Sequence, residues 1–520
     1  MPPQAMLIQD PLRWRAASQP DHPALRTHER TVTYRELDLR SNRVANALRG
    51  LGVQPGDRVA LLDQNSIEFL EATYGIAKAG AVSVPLGYRS TERELQTILD
   101  HSGTRFAIVA PEYQELLLAA ARGTDLAAER LLVVGAGRSY EAALARASEQ
   151  DPELRVSDEA PYAFLYTSGT TGAPKGVVQA HRGRAVHQCL AAREFEIRRS
   201  DCVMAAAPLA NSGPIFWALT ALSAGATLGL VRRFDAARFD DDLRALGVTY
   251  LPLMPTLYLR WIEATPHWHE PLPQLRMLLT AGEPLLAPTR EQLFTRFPQA
   301  GLVEHYGSTE LGVVLLMRPE DHQRKPGSVG RPMFGQEVQL RDEAGRVVGV
   351  GEVGELWARG NGQMVGYYRQ PEATAEIQDG EWMASGDLAI GDDDGYYFIV
   401  GRKKDTIKTG GATVYPAEVE AVLLEHPAVR EVAVVGLPDA QWGELVAAAV
   451  VPVPGQTITP EELFAFASRQ LATYKRPRAV YVLAELPKSA AGKVLKREVR
   501  ALLAEQHRQR QSAGHGKEQE

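Results

Sequence analysis

Short apolar runs alternating with longer helical patterns fill the chain up to about Gly335, and no other feature limits the fold as strongly. Asp57-Arg-Val-Ala-Leu-Leu62 reads as a strand, Ile67 to Ala79 as a helix, and Gly80-Ala-Val-Ser-Val-Pro85 as another strand. Phe106-Ala-Ile-Val-Ala110, Leu131-Leu-Val-Val-Gly135, Thr249-Tyr-Leu-Pro-Leu253 and Met277-Leu-Leu-Thr280 continue the series. Strand and helix in alternation argue for an α/β protein with largely parallel sheets. From Gly335 the pattern changes to closely spaced strands with glycine turns, such as Glu337-Val-Gln-Leu-Arg341, Gly354-Glu-Leu-Trp-Ala-Arg359 and Gly395-Tyr-Tyr-Phe-Ile-Val400. A small antiparallel β-barrel or sheet over about 335–401 is expected there. A boundary falls at Gly401-Arg-Lys-Lys-Asp405. Beyond it a helix (Pro416 to His426), two strands (Val429 to Leu437, Val446 to Val453), a helix (Pro460 to Leu471) and a strand near Val480 make a compact α+β unit. The expected organisation is thus a large N-terminal α/β domain over 1–401, carrying the appended barrel, and a small mobile C-terminal domain over 402–504. Residues 505–520, rich in Gln, Gly, His and charge, read as a disordered tail.

At 520 residues the chain exceeds one ordinary core. With 57 basic against 64 acidic residues and no basic stripe, nucleic acid is not an expected partner. Cys189 and Cys202 are the only cysteines, too few for a disulfide framework or a Cys-rich zinc site. They point to a reducing, cytoplasmic setting. Met1 to Trp14 has no signal-peptide pattern. The uncharged stretch Cys202 to Val231 is long enough to cross a bilayer, but Pro208, Asn211, Pro214 and its glycines break it. It reads as a buried loop, helix and strand rather than a membrane span. His267 and His269 read as part of a polar loop rather than a metal site.

Tyr166-Thr-Ser-Gly-Thr-Thr-Gly-Ala-Pro-Lys-Gly176 follows the apolar run Tyr162 to Tyr166. Its glycines and hydroxyls (Thr167, Ser168, Gly169, Thr170, Thr171, Gly172) suit backbone N–H groups wrapped around polyphosphate, and Lys175 adds positive charge. The nucleotide-kinase loop is excluded, since Pro174 and Gly176 flank the lysine. A flexible surface turn is the alternative at this point. Glu310 offers a hard oxygen suited to Mg2+, Thr309 a hydroxyl and Tyr306 an aromatic face, an ordinary turn being the alternative for Tyr306-Gly-Ser-Thr-Glu310. Asp387 supplies a hydrogen-bond acceptor and Arg402 a donor, the alternatives being a turn aspartate and a surface arginine.

Taken together, Tyr166 to Gly176, Tyr306-Gly-Ser-Thr-Glu310, Ser385-Gly-Asp387, Gly401-Arg402 and Pro487-Lys-Ser-Ala-Ala-Gly-Lys493 resemble, in order, the core motifs of the adenylate-forming superfamily. That superfamily includes acyl- and aryl-CoA synthetases, peptide-synthetase adenylation domains and firefly-type luciferases. The resemblance spans about residues 30–500. It implies that Gly282, Glu283 and Pro284 contact adenine and that Lys175, Thr309, Glu310 and Lys493 are catalytic, Glu310 holding the metal. It further implies ATP contacts from Thr167 to Gly172 and from Tyr306, Gly307, Asp387 and Arg402, with Lys404 at the hinge. For coenzyme A it implies Gly410, Gly411, Trp442, Tyr474 and Arg476; glycines there let a narrow pantetheine arm pass.

One segment departs from the family pattern. Many CoA ligases carry Pro-Leu-Phe-His after the loop, whereas Pro208-Leu-Ala-Asn-Ser-Gly213 stands here, with Ala210 or Asn211 in the histidine's slot. No aspartate is present to hold a substrate ammonium, which disfavours an amino acid. Asn211, Ser212, Trp217, Met254, Thr280, Glu283 and His305 are candidates to line or approach the acyl pocket. The resemblance implies an ATP-dependent, AMP-forming acyl- or aryl-CoA ligase using Mg2+ and a small-molecule carboxylic acid, aryl or medium-chain. The alternatives are a free-standing protein that loads an acyl carrier protein's phosphopantetheine and an inactive nucleotide- or acyl-binding relative.

Overall fold

The computed structural model describes residues 6–135, 137–167, 174–266, 271–488 and 494–515. It divides into two compact units, one of Met1–Val338 with Ala358–Ser385 and one of Gln339–Trp357 with Gly386–Glu520. The division therefore falls among the strands expected to form the barrel, not at Gly401.

The first unit holds two sheets. In the seven-stranded one the order is Gly366–Tyr367, Lys175–Ala180, Pro161–Thr167, Val82–Pro85, Arg58–Leu62, Phe106–Val109 and Leu131–Val133. From Pro161–Thr167 to Leu131–Val133 all pairings are parallel. The nine-stranded sheet runs parallel through Gly301–Ser308, Met277–Ala281, Tyr250–Pro252, Cys202–Ala205, Thr227–Leu230 and Pro23–Arg26. Antiparallel strands close both its flanks. Local chemistry starts the connecting helices: Ser66 caps Ile67–Lys78 by accepting from Phe69 N–H, and Thr91 with Glu94 forms a reciprocal cap on Glu92–Ser102. The uncharged stretch from Cys202 folds as strand Cys202–Ala205, helix Ser212–Ala224 and strand Thr227–Leu230, all inside the core. No helix among the described residues is long and apolar enough to cross a membrane.

A buried amide helps to tie the two sheets together. Asn65, just past strand Arg58–Leu62, donates from Nδ2 to the carbonyls of Ala205, Ala207 and Val231 at 3.2, 3.0 and 3.2 Å. Its Oδ1 accepts from Leu209 N–H at 2.9 Å. Thus the carboxyl ends of strands from both sheets are held around the loop that leads to Asn211.

Gln336–Arg341, Val353–Gly360, Trp382–Gly391 and Gln378–Asp379 follow one another in a five-stranded sheet, with Tyr397–Arg402 paired to Trp382–Gly391. This is the sheet form of the expectation, with the two-residue strand Gln378–Asp379 at one edge. In the second unit, Ala412–Val414, Ile407–Thr409, Gly443–Pro452 and Val429–Asp439 form a sheet to which Ala479–Val482 adds in parallel. Helices Pro416–Leu424 and Pro460–Gln470 complete the expected α+β pattern. The tail departs from expectation: helix Lys496–His515 runs through residues read as disordered from 505. Buried Val499 and Leu503 anchor its start, and Tyr481 holds His507 at 2.8 Å, contacts that composition does not encode.

Candidate active site

Strand Pro161–Thr167 turns back into Lys175–Ala180, and the register sets Lys175 opposite Thr167 at the turn end of the hairpin. Ser168, Gly169, Thr170, Thr171 and Gly172 lie outside the described residues, as do His267, His269 and Lys493. The short strand Gly366–Tyr367 lies along Val177 and Val178. Lys175 Nζ consequently sits 4.5 Å from the centre of the Tyr367 ring, within cation–π range. The Tyr367 hydroxyl donates to Glu310 Oε1 at 2.9 Å. Burial, reinforced by the Glu310 carboxylate, pushes this phenol above its ordinary range, so it remains a neutral donor. Tyr367 is a site residue that spacing does not reveal; Gly366-Tyr-Tyr368 has no pattern of its own, and only strand pairing brings it to Glu310.

Thr309 is fixed from two sides. Its Oγ1 lies 2.7 Å from Ser212 Oγ, and its carbonyl accepts from Gln179 Nε2 at 2.7 Å. The hairpin leading to it requires glycine at 307, where a Cβ would come within 1.9 Å of the Gly312 carbonyl oxygen. Glu310 is half-buried, and its second carboxylate oxygen makes no hydrogen bond or ion pair among the described residues. A carboxylate oriented through one oxygen and open at the other fits magnesium when nucleotide phosphates and water supply the remaining ligands. No cluster of His, Cys, Asp or Glu able to hold a metal unaided occurs among the described residues.

Gly282, Glu283 and Pro284 follow the carboxyl end of Met277–Ala281, and Ala281 pairs with His305, which sets Tyr306 on the adjacent strand. Trp217 Nε1 donates to His305 Nε2 at 2.9 Å, and Phe195 stacks on the imidazole with ring centres 5.4 Å apart. Because an indole can only donate, the His305 proton resides on Nδ1. Burial pushes the imidazole down to about 3, so the ring is neutral. Asn211 precedes the helix that begins at Ser212, and Met254 precedes helix Pro255–Ala264 at the end of strand Tyr250–Pro252. Thr280 does not join this group. It pairs with Glu304, one residue out of phase with His305, so its side chain leaves the opposite face of the sheet.

In the second unit Asp387 and Arg402 are directly paired, Arg402 Nε lying 2.6 Å from Asp387 Oδ1 across neighbouring strands. Lys404 lies in the single turn Lys403–Asp405 that follows. Gly410, at φ +56°, lies so close to Trp442 that a Cβ would approach Cε3 to 2.8 Å, whereas nothing lies within 4 Å of one at Gly411. Arg478 stacks its guanidinium 3.9 Å above the Trp442 ring, a partner the sequence does not announce. Tyr474 is exposed. Arg476 is spent locally, donating to the carbonyls of Leu471 and Ser468 at 2.9 Å each. Those carbonyls at a helix end lack partners of their own.

Thr309 and Glu310 follow the carboxyl end of strand Gly301–Ser308, and Lys175 stands across the hairpin from the carboxyl end of Pro161–Thr167, so a lysine, a threonine and a carboxylate gather where α/β proteins place their ligand sites. The family model for AMP-binding enzymes matches residues 12–368, and that for the AMP-binding enzyme C-terminal domain matches 418–493. The chain is 39% identical to a feruloyl-CoA synthase of Amycolatopsis sp, over 94% of this chain and 97% of that protein. It is 35% identical to a fatty acid–[acyl-carrier-protein] ligase of Streptomyces coeruleorubidus, over 96% of each. Among solved structures, ATP-bound MatB from Rhodopseudomonas palustris matches with TM-score 0.88 and 30% identity, over 96% of this chain and 99% of that one. The anthranilate CoA ligase AuaEII with anthranoyl-AMP matches equally, at TM-score 0.88 and 30% identity, over 96% and 98%. The chain belongs to the AMP-binding enzyme family.

Proposed function

We propose that this enzyme is an acid–CoA ligase that activates an aryl or medium-chain carboxylic acid as its acyl-adenylate and then transfers the acyl group to coenzyme A. The observation that carries the reading is the linkage of Lys175, Tyr367, Glu310, Thr309 and Ser212 into one continuous cluster.

A carboxylate is a poor acyl donor because oxide would have to leave. Its attack on the α-phosphorus of ATP forms the acyl-phosphate bond and expels pyrophosphate, and AMP then serves as the leaving group. Lys175 and Thr309 meet the negative charge as it shifts along the phosphates. Tyr367 holds Glu310 through Oε1 and leaves its other carboxylate oxygen to hold magnesium, which would neutralise phosphate charge. Lys493, by family resemblance, bridges the α-phosphate and the attacking carboxylate, and Asp387 with Arg402 holds the ribose. In the second half-reaction the thiol displaces AMP from the acyl carbon. The resemblance implies that the small domain turns about Lys404 and presents Gly410, Gly411 and Trp442 to the pantetheine arm. Arg476 is the weakest of the CoA candidates, since two of its groups brace a helix end.

The relative acting on an acyl carrier protein favours a second reading, in which the thiol belongs to a carrier protein. Acid-dependent ATP–pyrophosphate exchange across aryl, short, medium and long acids, repeated as thioester formation with CoA, tests both. Exchange with acyl-CoA formation supports the ligase; exchange without it turns the reading to carrier loading; no exchange with any acid leaves the inactive relative.

A further inference from the structure

We infer that the hydrogen-bonded pair Trp217–His305, backed by Phe195, is the floor of the acid pocket and limits this enzyme to compact acids, arylpropenoate-sized or shorter, excluding long-chain fatty acids. The inference rests on the acid-ligase reading and gives it a substrate class.

Accessible surface beside Thr309 stops at this pair. On helix Ser212–Ala224 the residues Ser212 and Gly213 retain accessible surface, while Pro214 to Ser223 are buried. On strand Gly301–Ser308 accessibility persists from Ser308 back to His305, and Val303 and Leu302 are buried. Glu304 is accessible as well, but its side chain leaves the other face, towards Arg290. The space above the indole is open at Gly213, where a Cβ would only just reach Trp217 Cζ2, at 4.0 Å. The depth follows from element geometry. Ser212 to Trp217 is about 7.5 Å of helix rise, and Ser308, next to Thr309, lies on the order of 10 Å of strand from His305. An acid whose carboxylate meets Thr309 therefore has room for an aromatic ring and a short linker before it meets the indole and imidazole.

The floor is stiff for a chemical reason. The indole N–H has its acceptor in His305 Nε2, and the imidazole lies in a stack with Phe195. His305 Nδ1 is buried without a partner, an arrangement that costs free energy and that an apolar side chain would avoid. The imidazole is used here to hold the indole across the pocket. Without that acceptor, rotating the indole would no longer break a hydrogen bond.

The test is ATP–pyrophosphate exchange with cinnamate, 4-hydroxycinnamate, hexanoate and palmitate, for the full chain and for His305→Ala, His305→Gln and Trp217→Phe. The wild type is expected to favour the compact acids. In His305→Ala the palmitate-to-cinnamate ratio of kcat/KM should rise about tenfold or more, chiefly through a lower KM for palmitate. His305→Gln keeps an acceptor for the indole and should hold the wild-type ratio. If His305→Ala does not fold, Trp217→Phe, which keeps a ring but loses the N–H, should move the ratio the same way by less. A wild type that prefers palmitate, or an unchanged ratio in whichever of those two variants folds and still exchanges with cinnamate, overturns the floor while leaving the ligase intact. Absence of exchange with every acid in the wild type overturns the ligase reading and the floor with it.

Discussion

At the scale of single residues, the reaction depends on side chains that orient others as much as on those that meet substrate. Tyr367 is the clearest case, because its hydroxyl spends its one proton on Glu310 Oε1. Tyr367→Phe keeps the ring under Lys175 but frees the carboxylate to rotate. The expected result is a severalfold weaker binding of manganese together with ATP, read by the metal's paramagnetic resonance, and a half-saturating Mg2+ concentration raised in proportion. Unchanged metal binding would remove Tyr367 from the metal's surroundings. Glu304 carries a second prediction. Burial pushes its carboxyl up to about 7 from 4.5, with Arg290 opposing. A carboxyl raised on folding holds its proton more tightly in the folded state, so its contribution is fully present below about pH 4.5 and is lost as pH climbs through 7. Glu304→Gln should flatten the fall in melting temperature between pH 5 and 8. The sequence displayed Lys175, Thr309 and Glu310 because each sits in a compact motif with its own chemistry. Tyr367, Phe195 and Arg478 stayed hidden because their partners lie far away along the chain.

At the scale of elements, the strand–helix alternation was legible because period and turn chemistry are local, and the structure follows it through both sheets. Facing was less legible. Thr280 and His305 look equivalent as polar residues near strand ends, yet a register of Thr280 against Glu304 sends them to opposite faces. Barrel and sheet stayed open as alternatives for a similar reason, since closely spaced short strands do not say whether a ladder closes. Asn65 shows what an element boundary can cost. Its amide serves three carbonyls and one N–H at the joint of the two sheets. Asn65→Leu removes those partners in the interior, where each unsatisfied backbone group costs about 1–3 kcal/mol. The expected loss is several kcal/mol in denaturant unfolding, with faster hydrogen exchange over 205–211; a loss below about 1 kcal/mol would show that the loop finds other partners.

At the scale of the whole molecule, the candidate groups for the two half-reactions are partitioned between two compact units. Lys175, Thr309 and Glu310 belong to the first, whereas Asp387, Arg402, Gly410, Gly411 and Trp442 belong to the second, whose stretch of sequence includes Lys493. If one unit serves both steps in turn, substitutions within it should separate the steps rather than damage them alike. On the proposed mechanism, Lys493→Ala withdraws a positive charge that serves only while pyrophosphate leaves. It should lower acid-dependent pyrophosphate exchange by a factor on the order of a hundred or more, while thioester formation from supplied acyl-AMP and CoA stays within a few-fold. Gly411→Trp should do the reverse. A Cβ at Gly411 meets nothing within 4 Å, but its φ of +80° disfavours any other residue, and a large ring would fill the approach beside Trp442. Thioester formation should slow sharply with exchange little changed. Single-turnover measurements of both steps in both variants form a cross. Opposite losses bear out a division of labour within the second unit; equal losses in either variant mean that its residue supports the fold of that unit rather than one step.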